Sequence, residues 1–138
     1  MPYTLENIHP LFIHFPIALL FSGLLFDLIS EFINSIELKN TGFHCMVLGI
    51  ISSFVSNLTG LFAFLAGENL IDIFKFNHAI LAWIQTLLFI VLLWIRISFD
   101  IDLKYSIFKK NVYYIIYVIA VSILFYSAHL GAKAAGRI

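Results

Sequence analysis

At 138 residues, with 62% hydrophobic and 12% charged side chains, the chain carries far more apolar surface than a soluble domain of its size can bury, so lipid has to take the excess. Eight basic residues balance eight acidic ones, which leaves no basic stripe to neutralise phosphates and excludes a nucleic-acid-binding protein. Cys45 is the sole cysteine, so neither an internal disulfide nor a thiolate metal cluster can form within the chain.

Four apolar runs are long enough for about 30 Å of hydrocarbon, a span of roughly 20 helical residues. They cover approximately 11–33, 43–66, 79–97 and 112–130. The opening MPYTLENIHP lacks the basic stretch of a cleavable signal, so the first run is expected to stay as an anchor. Ten-residue alternating strands are absent, which disfavours a barrel, and short polar links connect the runs. The expected fold is therefore an all-α membrane protein, a single antiparallel up-down bundle of four transmembrane helices.

In chain order, the first run begins HPLFIHFPIAL. His9-Pro10 suits the start of a helix, because a first-turn proline forfeits no hydrogen bond. Pro16 allows two outcomes: a helix beginning near Phe12 or Ile13 tolerates it, whereas one beginning at Pro10 bends around it. Near the far end of this run, Asp27, Ser30 and Glu31 are expected to be solvated end residues, with Asp27 deep enough to pair with Arg96 or serve a proton path. The second run carries Gly49, Ser53, Ser56, Gly60, Ala63 and Gly67 at three- and four-residue spacing, a stripe of small side chains. Such a stripe serves either close helix packing or the face of a flat ligand. Asn57 and Gln85 are mid-span amides, expected to hydrogen-bond across helices.

Counting basic residues beside the runs orients the chain. Lys39, Arg96, Lys104, Lys109 and Lys110 lie on one side, Lys75, Lys133 and Arg137 on the other, so both termini are expected outside the cytoplasm. His9, His14, His78 and His129 then share the outer face, and His44 alone lies at the inner end.

Imidazoles are uncommon at a membrane edge, and four on one face read as a ligand set. A b-type haem takes two imidazoles from different helices at similar depth with apolar walls between them. His14 with His78 on diagonal helices, or His78 with His129, meets that requirement, leaving the remaining histidine for a propionate or, with His9, for a second haem. Gly60 and Gly67 would lie against the macrocycle. Lys75, Lys133 or Arg137 would balance the propionates. Phe15, Phe62, Phe64, Phe74, Phe76 and Trp83 would supply aromatic walls. The rival expectation is a single copper, zinc or iron ion held by His14, His78 and His129, with Glu68 as an added carboxylate.

The run His9-Pro10-x-x-x-His14-Phe15-Pro16-Ile17-Ala18-Leu19, with Thr59-Gly60-Leu61, Ala66-Gly67-Glu68, a histidine opening the third span and His129-Leu130-Gly131-Ala132 closing the fourth, resembles a family of four-helix bacterial membrane proteins of unknown function with an HPxxVHFPIAL-type start. The resemblance covers nearly the whole chain and departs at Ala132, where the family commonly has a second glycine and a longer tail. Some relatives are joined to c-type cytochrome modules, which implies electron transfer in the bacterial inner membrane. On that basis the expected function is haem b binding and electron transfer, with a quinone or a c-type cytochrome as partner. A subunit of a larger complex, or a homodimer, is the structural alternative. Hydrolysis has no support, since no nucleophile elbow, phosphate loop or paired carboxylates occur. Transport has little, for want of broken spans or an inverted repeat.

Overall fold

The computed structural model describes residues 12–66, 73–98 and 107–134. Four helices follow one another: α1 (His14–Ile33), α2 (Ile36–Ala66), α3 (Ile73–Ser98) and α4 (Ile107–Ala134). No strand occurs among the described residues. All four are long and apolar enough to cross a membrane, and only 28–33% of each spanning stretch is buried inside the protein. The remainder is an outward coat of large apolar side chains such as Phe32, Leu87, Trp94 and Ile115, which lipid rather than water has to cover. The expected four-helix membrane fold is thus the observed one.

The helices run longer than the sequence pattern indicated, above all at the first connection. Residues 34–42 read as a polar loop, yet α1 and α2 are joined through Asn34 and Ser35 alone. Asn34 takes the left-handed conformation (φ 53°), which an Asn tolerates better than most side chains, and its N–H bonds to the Ser30 carbonyl. The Ser35 N–H reaches that same carbonyl at 3.2 Å, and the Ser35 hydroxyl then accepts from the Leu38 N–H at 3.3 Å, capping α2. Lys39, Asn40, Thr41 and Gly42 are therefore helical residues at the polar end of α2. At the other end of α1, the helix starts at His14, so Pro16 falls in the first turn and its missing N–H removes no intrahelical bond.

The bundle is square in section. Sequence neighbours pack side by side, α1 also meets α4, and the α1–α3 and α2–α4 pairs are diagonal. Closest of all is α1 on α2, where glycines let the backbones approach. A Cβ on Gly49 would lie 2.6 Å from the Leu20 side chain, and one on Gly42 would collide with the Asp27 carboxylate. The small-residue stripe of α2 thus serves helix packing along this stretch. The α1 and α4 backbones approach least, and side chains bridge the seam between them: Phe21 meets Phe125, Tyr117 reaches the Leu20 carbonyl and Lys110 reaches Glu31. Leu20, Leu24, Met46, Phe89, Leu92, Tyr113, Tyr117, Ala120, Val121 and Leu124 make one core.

The hydrogen bonds divide in an informative way. Helices α1 and α2 form one hairpin, α3 and α4 another, and the two are bridged by polar groups: Asp27 to Arg96, Asn57 to Ala82 and Thr86, Glu31 to Lys110, and Tyr117 to the Leu20 carbonyl. In hydrocarbon, where apolar side chains gain little by leaving lipid for protein, such bonds help to select one docking geometry.

Candidate functional site

His78 stands on the inward face of α3, in phase with the buried residues Gln85, Phe89, Leu92 and Arg96 at seven, eleven, fourteen and eighteen positions further on. It crosses to α4. Its Nδ1 lies 2.8 Å from the Ser127 carbonyl oxygen, and the Ser127 hydroxyl donates to the His78 carbonyl at 3.4 Å. A carbonyl only accepts, so Nδ1 carries the proton and, in the neutral ring, the lone pair is on Nε2. That is the arrangement in which most metal-ligating histidines are held. Gly131 makes the contact sterically feasible: a Cβ there would sit 2.9 Å from Cε1 and 3.1 Å from Nε2 of the imidazole. Sequence reading singled out His78 and met Gly131 only as part of the family motif, without a role, and it missed Ser127. The spacing of four between Ser127 and Gly131 on one face of α4 was the available signal.

Two other histidines toward this end of the bundle are placed differently. His129 lies two residues from both Ser127 and Gly131, about 200° around α4 from each, and it is exposed. His14 is likewise two residues from the buried Pro16 and exposed on α1. Both are exposed whereas His78 is partly buried, and among the described residues no three His, Cys, Asp or Glu side chains gather closely enough to hold an ion. Lys133 is exposed at the C-terminal end of α4 and Gly60 is half-buried on α2. His9, Gly67, Glu68 and Arg137 lie outside the described residues, as does the side chain of Lys75. The aromatic wall does not form around His78 from the residues described: Phe15, Phe62 and Phe76 are 56–60% exposed toward the exterior, and Trp83 packs edge-on against Phe54. Beside the His78–Ser127 contact a shallow groove of about 250 Å³ opens between Asn77, Ile80 and Leu81 of α3 and Tyr126 and Leu130 of α4. Cofactor pockets usually measure roughly 300–1,000 Å³.

Below this end lies a polar layer. The Asn57 amide donates to the Ala82 carbonyl at 3.1 Å and to the Thr86 hydroxyl at 3.0 Å, as expected of a mid-span amide. Gln85 does not follow suit. Its Oε1 is buried with no hydrogen-bond partner among the described residues, as is the Ser53 hydroxyl.

At the end that holds Asp27 the solvated reading fails for Asp27 and Ser30, which are buried, and the other expectation, a pairing of Asp27 with Arg96, is what the structure shows. The Asp27 side chain is 1% exposed and the Arg96 side chain 2%, and they pair through two bonds, Nη1 to Oδ2 at 2.7 Å and Nη2 to Oδ1 at 3.1 Å. Nη2 also donates to the Lys39 carbonyl at 3.0 Å, and the guanidinium carbon lies 5.5 Å from the centre of the Phe43 ring. The reason is positional: Asp27 falls seven residues after Leu20 and four after Gly23, on the stripe of α1 that faces the core. Gly42 opens the space for its carboxylate. One turn on, Glu31 receives Lys39 at 2.9 Å, Lys110 at 2.6 Å and the Tyr114 hydroxyl at 3.3 Å, so a charged cluster spans all four helices. Ser30, also buried, bonds back to the Asp27 carbonyl at 2.6 Å.

No curated protein and no solved structure matches the chain. A family match does extend from residue 5 to residue 138, almost the full length, and agrees with four apolar helices in one bundle. The chain belongs to the family described as predicted membrane protein (DUF2231).

Proposed function

We propose that the protein is a multi-pass inner-membrane protein that binds haem b at its outer, non-cytoplasmic end and takes part in electron transfer, with His78 as an iron ligand. The observation that carries this reading is the His78 imidazole: it sits on the core face, its tautomer is set by the Ser127 carbonyl, and Gly131 gives it room. Bound haem would supply one-electron chemistry; this chain's residues would hold and orient it. The donor chemistry fits an axial ligand. The groove beside His78 does not enclose a whole macrocycle, and the described residues assemble one of the two imidazoles a b-type centre takes.

The excess of basic residues at the end holding Lys39, Arg96 and Lys110 supports a cytoplasmic position for that end, with both termini on the other side. A quinone or a c-type cytochrome is the partner in keeping with an outer-face centre in lipid.

The test is optical. Protein expressed with ample haem and purified in mild detergent should show a Soret band that shifts on dithionite reduction, and His78→Ala should remove most of it. A colourless wild-type protein, or a variant with an unchanged spectrum, overturns the proposal.

A further inference from the structure

A second feature of the outer end is independent of His78 and of any haem. The loosely packed seam between α1 and α4 has its register fixed by Phe21 and Phe125, whose rings meet edge to face with centroids 5.6 Å apart. His14 precedes Phe21 by seven residues, so it lies on the same stripe of α1, about 10 Å further out. His129 follows Phe125 by four residues, on the same stripe of α4, about 6 Å further out. Because the two helices are antiparallel, both displacements point toward the same membrane face. The two histidines therefore flank one seam at depths differing by about 4 Å. Both are exposed, and neither has a hydrogen-bond partner among the described residues.

We propose that His14 and His129 form a two-imidazole site for an exchangeable divalent transition-metal ion, bridging α1 and α4 at the outer mouth of the seam. Imidazole is a ligand suited to copper, nickel and zinc, and the Irving–Williams order makes Cu²⁺ the tightest occupant. Two protein ligands leave positions for water or an anion, which Lys133, one turn beyond His129, would favour by charge. A bound ion would close the one edge of the bundle where the helices approach least. Among the described residues no third ligand is gathered, and a two-imidazole site is of the labile class, unlike a four-ligand structural zinc site.

The experiment is Cu²⁺ titration of the purified full chain in detergent, read by electron paramagnetic resonance, with His14→Ala, His129→Ala, the double variant and His44→Ala at the opposite end. Expected are one Cu²⁺ per chain with two imidazole nitrogens bound, at least tenfold weaker binding in each single outer variant, little further loss in the double variant, and wild-type binding in His44→Ala. One imidazole nitrogen in the wild-type spectrum, independent effects that multiply in the double variant, or half an ion per chain would overturn it. Should an outer variant fold poorly, His14→Cys with His129→Cys in a Cys45→Ser background tests the juxtaposition directly. Crosslinking within one chain supports the site, and failure to crosslink overturns it.

Discussion

Replacing Arg96 by Met leaves the Asp27 carboxylate buried, 1% exposed, with its two charge-assisted bonds removed. Charge centres about 4 Å apart at an effective dielectric constant of about 20 attract by about 4 kcal/mol, which agrees with the roughly 3–5 kcal/mol lost when one partner of a buried pair is deleted. Arg96→Met is therefore expected to lower stability by about 3–5 kcal/mol. Asp27→Leu alone should do comparable damage, because the buried guanidinium would lose both of its bonds to the carboxylate. Combining the two should recover most of the loss, since an apolar pair of similar volume leaves no buried charge. The assay is reversible unfolding in mixed micelles of mild detergent and dodecyl sulfate, followed by helical circular dichroism for the four members of the mutant cycle. The reasoning is refuted if Arg96→Met lies within about 1 kcal/mol of wild type, or if the double variant shows the sum of the single losses.

Three further outcomes are expected. Gly131→Ala should push the imidazole of His78 off α4, since the added methyl would sit 2.9 Å from Cε1, and should lower stability by about 1–3 kcal/mol; an unchanged unfolding midpoint would count against the packing described. Gln85→Leu removes a buried oxygen that has no partner among the described residues and should stabilise the bundle by about 1 kcal/mol, whereas a clear loss would mean that the amide is satisfied in the membrane. In a Cys45→Ser background, cysteine at Lys133 should react with an impermeant maleimide added to intact cells and cysteine at Asn34 should not; the reverse pattern would invert the proposed orientation.

Buried charge shows how local sequence can mislead. Asp27, Ser30 and Glu31 cluster close to a helix end, and Lys39 to Gly42 read as a loop, so both groups looked like boundary residues. Helical phase decides otherwise: Asp27 shares its stripe with Leu20 and Gly23, and the partner that makes its burial affordable is 69 residues away on α3. A loop and a polar helix end have similar compositions. What separates them here is the left-handed Asn34 and the Ser35 cap, a local detail that forces an early turn and adds two helical turns to α2.

Class and architecture followed from composition and run length alone, because four apolar stretches of spanning length with short links have few arrangements in a bilayer. That His14, His78 and His129 fall toward one end of the bundle also came from sequence, as a consequence of counting crossings. Which way each ring faces did not, since that depends on the rotation of each helix about its own axis, and rotation is set by packing. Gly49 against Leu20, Asp27 against Arg96 and His78 against Ser127 fix those rotations, and all three contacts join residues at least 29 positions apart. Tertiary structure alone therefore decided that His78 turns inward to α4 while His14 and His129 are exposed.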